Sequence, residues 1–206
     1  MAGPETRQTL LIRIRDNEDS HSWQRFVKVY APLIRHFCQW RGATLADAQD
    51  ITQEVLGTVS RAIKTFDYDP TKGSFRSWLL KVTRNKLINH VEREKRQPVA
   101  AGNQSSIEHL ANQSQPDSSE MDFWERDYRQ RLFDWAVGEI QDEFREETWN
   151  AFWATAVDSQ RGTKVAEQLG VNVSSVYAAK SRILRRIREK IGSVAGDWDL
   201  YLKNRE

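Results

Sequence analysis

The sequence contains few of the residues that build disulfides, metal sites and active sites. Its one cysteine, Cys38, excludes a disulfide within the chain and fits a reducing, cytoplasmic environment. Cys38 lies in an apolar run, so we expect a buried structural thiol. The four histidines, at positions 21, 36, 90 and 109, have no spacing typical of a metal site or a catalytic triad. We therefore expect a protein that is not an enzyme, needs no cofactor and holds no metal.

Long hydrophobic runs are also missing. No stretch approaches the roughly 20 apolar residues that a membrane-spanning helix needs. The apolar stretch Leu10–Ile14 is too short for a signal core, and Arg13 interrupts it. We expect a cytoplasmic protein with no membrane partner.

Prolines and glycines are sparse enough for long helices, at five and ten in 206 residues. No segment alternates polar and apolar residues as a strand does, so we predict an all-α fold. The predicted helices span residues 5–17, 20–40, 44–66, 74–95, 124–139, 145–157, 163–169 and 174–191. Pro98–Ser119 is rich in Gln, Asn, Ser and Ala, which is typical of a flexible linker. The predicted organisation is a helical domain at 1–96, a flexible acidic linker at 97–123, a smaller helical domain at 124–195 and a tail at 196–206.

The net charge is only +2, but the charges are unevenly distributed. Basic residues cluster in Arg84–Arg96 and in Lys180–Lys190, whereas Pro98–Glu125 contains no Lys or Arg. Two basic clusters with an acidic spacer between them favour two separate contacts with a polyanion.

The stretch Thr163–Ile191 predicts two helices joined at Gly170, where glycine permits a positive φ. The second helix carries an apolar stripe on one side and small residues with arginines on the other, and Ser174 is its predicted N-cap. This arrangement is typical of a helix-turn-helix, in which one face packs on the domain and the other enters a DNA groove. The neighbouring Trp149, Phe152 and Trp153 are predicted core residues.

The first half of the chain carries two further polar surfaces. Asp47, Asp50 and Glu54 stack along one face of a predicted helix, without a His or a further carboxylate at ligand spacing. An ordinary solvated acidic face remains an alternative to a functional site there. The next helix, Phe75–Arg96, mixes aromatic and basic residues, which suits single-stranded or melted nucleic acid. Core aromatics with a solvated basic face are the alternative.

Several motifs occur in one order along the chain. They are W-x-x-F-x-x-x-Y-x-P-L-I at Trp23–Ile34, D-A-x-D-I-x-Q-E-V at Asp47–Val55, G-S-F-R-S-W-L at Gly73–Leu79 and R-N-K-L-I-N at Arg84–Asn89. With the helix-turn-helix pattern near the end, the chain resembles a bacterial RNA polymerase sigma factor of the extracytoplasmic-function (ECF) subfamily of the sigma-70 family. The first half resembles region 2 and the last part resembles region 4.

The resemblance implies core RNA polymerase and promoter DNA as partners, and an anti-sigma factor as a further one. The residues implied to dock on the polymerase's clamp helices are Asp47, Asp50, Gln53 and Glu54. Those implied to bind the −10 element are Phe75, Trp78, Lys81, Arg84, Asn85, Lys86, Asn89 and Arg93. Those implied to bind the −35 element are Ser174, Ser175, Tyr177, Ala178, Ser181, Arg182, Arg185 and Arg186. The acidic linker would thread the polymerase towards its active-site cleft or RNA exit channel.

A free-standing helix-turn-helix regulator with an N-terminal sensing domain is the alternative function. It predicts tight, salt-sensitive binding to duplex DNA without polymerase, and a dimer on a palindromic operator. It leaves the acidic face and the basic Trp-containing helix unexplained.

Overall fold

The computed structural model of the chain describes residues 10–16, 19–65, 74–96 and 115–194, with side chains to residue 93 in the third range. The described residues are helical, with no strand among them, which confirms the predicted all-α class. The helices are α1 (Ser20–Trp40), α2 (Leu45–Ala62), α3 (Phe75–Arg96), α4 (Ser118–Ile140), α5 (Glu146–Phe152), α6 (Gly162–Leu169) and α7 (Val173–Gly192). A 3-10 turn at Gln141–Glu143 precedes α5, and a π-helical turn at Trp153–Val157 follows it.

The chain divides into two compact units. The N-terminal unit is Leu10–Arg131, and the C-terminal unit contains the described residues from Leu132 onward. The residues of α4 are shared, since Ser118–Arg131 belongs to the first unit and the rest to the second. The predicted tail at 196–206 and positions 5–9 and 17 of the predicted helix 5–17 lie outside the described residues; positions 10–13 are helical.

In the N-terminal unit, α1, α2 and α3 pack around one apolar core. Its largest fully buried side chains include Phe26, Phe37, Ile51 and Leu79. Asp19 begins α1 by accepting hydrogen bonds from the Ser22 backbone N–H and hydroxyl, and Thr44 accepts from the Asp47 N–H at the start of α2. Cys38 is fully buried, as predicted, and burial raises the pKa of its thiol to about 12.

The first half of α4 differs from the sequence prediction, which placed the linker up to residue 123. The helix begins at Ser118 because Asp117 and Glu120 form a capping box. The Glu120 N–H donates to Asp117 Oδ1 at 2.8 Å, and the Asp117 N–H donates to Glu120 Oε2 at 3.0 Å. Residues 118–131 pack as a fourth helix of the N-terminal unit, with Trp124 and Tyr128 buried.

In the C-terminal unit, α5, α6 and α7 share a core of small and β-branched residues. It contains Ala151, Val165, Ala166, Val176 and Ala179. Trp149 and Phe152 are buried as predicted, whereas Trp153 is 36% exposed, because the π-helical turn that begins there places it at the surface.

Gly170 connects α6 to α7. Its φ of +64° is left-handed, as predicted, and the Val171 N–H donates to the Ala166 carbonyl to close the helix end. The predicted N-cap of α7, Ser174, is wrong, because the cap residue is Asn172, two residues earlier, and the helix begins at Val173. Asn172 makes no side-chain capping hydrogen bond.

Candidate nucleic-acid interface

Helix α3 presents different polar residues on different sides. At roughly 100° per residue, positions 78, 81, 85 and 89 fall on one side of a helix. Lys81, Asn85 and Asn89 are exposed there and Trp78 is half-buried. We call these four residues the α3 stripe. It offers one cation, two amides and an indole, a combination that suits base edges and base stacking better than a row of phosphates.

Phe75 does not belong to this surface, although the sequence analysis placed it in the DNA-binding set. It is 5% exposed and packs edge-on against two rings of α1, Phe26 at 5.9 Å and Tyr30 at 5.8 Å between ring centroids. Burying a phenyl ring there removes more apolar surface from water than stacking it on a base would. Phe75 is therefore a core residue.

Arg84 also requires correction. The family resemblance implies that Arg84 binds the −10 element, but Arg84 is 2% exposed and its Nε lies 3.3 Å from Glu120 Oε2. A buried guanidinium needs a carboxylate partner, because an unpaired buried charge is very unfavourable. The partner comes from α4, in the segment that had been interpreted as linker.

Lys86 and Arg93 lie on the side of α3 that faces α2. Lys86 Nζ is 3.3 Å from Glu54 Oε2, and Arg93 Nη2 is 3.4 Å from Glu54 Oε1. His90 joins the same helix pair, with Nε2 3.2 Å from Asp47 Oδ1. Of the residues predicted to dock on polymerase, Glu54 therefore pairs with two members of the predicted −10 set, and Asp47 pairs with His90 of the same helix.

The acidic face of α2 is thus divided into free and engaged groups. Asp50 and Gln53 are exposed. The pKa of Asp47 is lowered chiefly by the Thr44 hydroxyl, which donates to it at 2.5 Å, and further by His90. Burial acts to raise the pKa of Glu54, but hydrogen bonds from Lys86 and Arg93 outweigh it, so the net shift is downward. Both carboxyls are ionised at neutral pH.

Helix α7 exposes most of the predicted −35 residues on one side. The exposed members are Ser174, Ser175, Tyr177, Ala178, Ser181, Arg182 and Arg185. Arg186 differs, because its guanidinium binds both carboxylate oxygens of Glu143 at 2.5 and 2.8 Å, which raises the pKa of Arg186. Arg188, which is not among the predicted −35 residues, is exposed on the same side as Arg185.

Tyr177 has a second contact that the sequence pattern did not indicate. Its ring lies so close to Gly162 that a Cβ there would stand 2.9 Å from the ring carbon Cζ and from the hydroxyl oxygen. Tyr177 is nevertheless 55% exposed. The glycine at the start of α6 therefore lets the tyrosine lie across the two helices and still face solvent.

Neither a cluster of metal ligands nor a helix suited to crossing a membrane occurs among the described residues. Among these residues, no three His, Cys, Asp or Glu side chains come together as a metal site would require. No helix in the described ranges has both the length and the apolar character of a membrane span.

Comparison with known proteins agrees with the location of the α1–α3 bundle. Residues 26–97, which contain most of α1 and all of α2 and α3, match the sigma-70 region 2 family. The ECF RNA polymerase sigma factor RpoE of Cereibacter sphaeroides is 28% identical to the chain over 89 residues. That alignment covers 43% of this chain and 48% of the relative, so the chain spans about half the length of the curated relative it matches. The chain therefore contains a sigma-70 region 2 domain at residues 26–97 and is distantly similar to an ECF sigma factor.

Proposed function

We propose that the chain is a sigma factor that binds core RNA polymerase in the cytoplasm and directs promoter-specific initiation through −10 and −35 elements. The observation that carries this proposal is the coincidence of the region 2 match with a bundle whose outer surface holds the α3 stripe and the acidic face of α2. The chain has no active site of its own in this proposal, since its partner supplies the chemistry.

The exposed part of α2 is the proposed docking surface for the polymerase. Asp50 and Gln53 face solvent, and Glu54 is partly exposed beside them. Carboxylates of this kind fit a basic helical surface, and charge complementarity of that type fixes the orientation of a complex. Asp47 contributes its charge, although Thr44 and His90 already engage it.

The α3 stripe is the proposed −10 surface. Asn85 and Asn89 can exchange two hydrogen bonds with a base edge, Trp78 offers a ring for stacking, and Lys81 can meet a phosphate. Bases become accessible to such groups only when the duplex is opened, so this surface suits a melted strand.

We propose that α6, the turn at Gly170 and α7 form a helix-turn-helix that binds the −35 element. The small residues Ser174, Ala178 and Ser181 allow α7 to approach a major groove closely. Arg182, Arg185 and Arg188 can then reach phosphates and guanine edges. The acidic segment between α3 and α4 is proposed to enter the polymerase.

Two variants test the division of labour. Asp50→Arg should abolish co-elution with purified core polymerase on gel filtration, because it places a cation against a basic surface. Arg182→Ala with Arg185→Ala should leave that complex intact and weaken promoter use. If the wild-type chain formed no stable complex with core enzyme, or if both variants behaved alike, this function would be wrong.

A further inference from the structure

The first half of α4 forms a matched antiparallel contact with α1. Tyr128 stacks on Tyr30 at 5.5 Å between ring centroids, Trp124 meets Phe37 edge-on at 5.5 Å, and Phe123 stacks on Trp40 at 4.3 Å. From Tyr30 to Trp40 along α1, the contacting residue on α4 moves back from Tyr128 to Phe123, so the two helices run antiparallel. The segment Ser118–Arg131 is therefore docked in one register, with ring contacts along about three turns of α1 and somewhat under two turns of α4.

Glu120 stands at the end of this contact and joins three helices. It is fully buried, with Oε1 3.3 Å from Arg41 Nη2 and Oε2 3.3 Å from Arg84 Nε. Arg41 follows the end of α1, and Arg84 lies in the middle of α3. One carboxylate thus neutralises two guanidinium groups in a site shielded from water. An unpaired charge is very unfavourable there, because water cannot solvate it.

A second contact holds α3 from the same side. Arg76 Nε is 3.0 Å from Glu125 Oε1, and the Arg76 guanidinium lies 4.8 Å from the centre of the Tyr128 ring. Arg76 and Arg84 are about 12 Å apart along the helix axis. Helix α4 therefore contacts α3 at Arg76 and at Arg84. These two positions lie on either side of Lys81 in the sequence, and Arg84 directly precedes Asn85.

We propose that Glu120 is a positioning residue for promoter opening, and that Ser118–Arg131 is a working part of the region 2 domain beyond the matched residues 26–97. Glu120 fixes Arg84, and Arg84 fixes the azimuth of α3 and hence the direction in which Asn85 and Lys81 point. This inference rests on the proposed function, because the strand-opening role of the α3 stripe belongs to it.

Glu120→Gln in the full chain tests the proposal, because glutamine keeps the volume and the capping hydrogen bond to the Asp117 N–H while removing the charge. The rate of strand opening is measured with core polymerase on a promoter that the wild-type chain uses, from permanganate reactivity of the opened thymines. Opening should fall by about tenfold or more, while affinity for core enzyme stays within about twofold.

Two controls separate positioning from general loss of structure. Asp122→Asn removes a carboxylate charge from an exposed position of the same helix and should change opening little. Ile51→Val weakens the core of the same unit without touching α3's ion pairs, and should leave opening near wild type. If Glu120→Gln opened promoters at the wild-type rate, if its opening and core binding fell together, or if Ile51→Val lowered opening as much as Glu120→Gln, the proposal would be overturned.

Hydrogen exchange of the free chain gives an independent readout that needs no polymerase. Glu120→Gln should increase amide exchange in residues 76–93 more than in α2. Should Glu120→Gln fail to fold, Glu120→Asp keeps the charge on a shorter side chain and should show the same selective increase. Failure of the wild type to bind core enzyme would contradict the proposed function, whereas unchanged exchange in α3 would contradict the role of Glu120.

Discussion

Glu54 is shared by two surfaces that the sequence suggests are separate. Its carboxylate binds Lys86 and Arg93 of α3 while it stands beside the exposed Asp50 on α2. Two cations that would otherwise attract a nucleic-acid backbone are therefore neutralised within the free chain. Exposed pairs of this kind contribute little to stability, about 0–1 kcal/mol each, so a competing partner can exchange them.

Removing the Glu54 charge should free these cations. We expect Glu54→Gln to bind a single-stranded oligonucleotide several-fold more tightly than the wild type, with a steeper dependence on salt, as measured by fluorescence anisotropy. Asp50→Asn is the matched control, since it removes the same charge from the same helix without an ion pair to a described residue. Equal gains in the two variants would mean that only net charge matters.

Asp47 makes the stability of the N-terminal unit depend on pH in the acid range. Because its folded pKa is depressed, chiefly by Thr44, its contribution to stability is fully present above the unfolded value of about 3.9 and is lost as pH falls through the lower folded value. Urea unfolding of wild type and Asp47→Asn should differ by up to about 1 kcal/mol near pH 6 and converge in stronger acid. A difference that grows on acidification would contradict this linkage.

Helix α4 depends on its start. Asp117→Ala removes the side-chain half of the capping box and should lower the free energy of unfolding of the N-terminal unit by about 1 kcal/mol. Ser118→Ala changes the adjacent exposed residue, which makes no described capping bond, and should have little effect. Thermal unfolding of both variants checks the cap, and equal melting temperatures would argue against it.

Two glycines of the C-terminal unit should respond to alanine in opposite directions. Gly170→Ala forces a Cβ into the left-handed region and should destabilise the unit by about 1 kcal/mol. Gly138 lies inside α4 with open space around a Cβ, so Gly138→Ala should stabilise it by about 0.5–1 kcal/mol. Melting temperatures that shift the same way would show that the turn does not need glycine.

The sequence predicts the helices better than it predicts their polar partners. Apolar periodicity and capping residues predict the bounds of α1 at Ser20 and Trp40. Gly170 likewise predicts the turn between α6 and α7. Composition hides the start of α4, because Ser118 and Ser119 resemble linker although Asp117 and Glu120 form a capping box. The Asp117–Glu120 spacing is the sequence signal that predicts the start of α4.

Burial of charged groups is the part that periodicity does not supply. Arg84 looks like a solvent-facing cation until Glu120, 36 positions later, is brought against it by the packing of α4. Arg186 likewise finds Glu143 only after α7 folds back on the turn before α5. Such pairs depend on tertiary contacts, which no local pattern encodes.

Among the described residues of the whole molecule, fewer cations lack a carboxylate partner than the basic clusters of the sequence suggest. Carboxylate partners are present on α3 for Arg76, Arg84, Lys86 and Arg93, and on α7 for Arg185, Arg186 and Lys190. We therefore expect the free chain to bind duplex DNA weakly, with a shallow dependence of log K on log salt, and the complex with core polymerase to bind more steeply. Tight binding of the free chain to a palindromic duplex would instead favour a free-standing regulator.

The central claim is that this chain gives core RNA polymerase its promoter specificity. The most direct measurement is genome-wide run-off transcription with purified core enzyme, with and without the chain, followed by alignment of the sequences upstream of the start sites. The account predicts new starts that depend on the chain and share two upstream elements. Starts that are the same with and without the chain would contradict it.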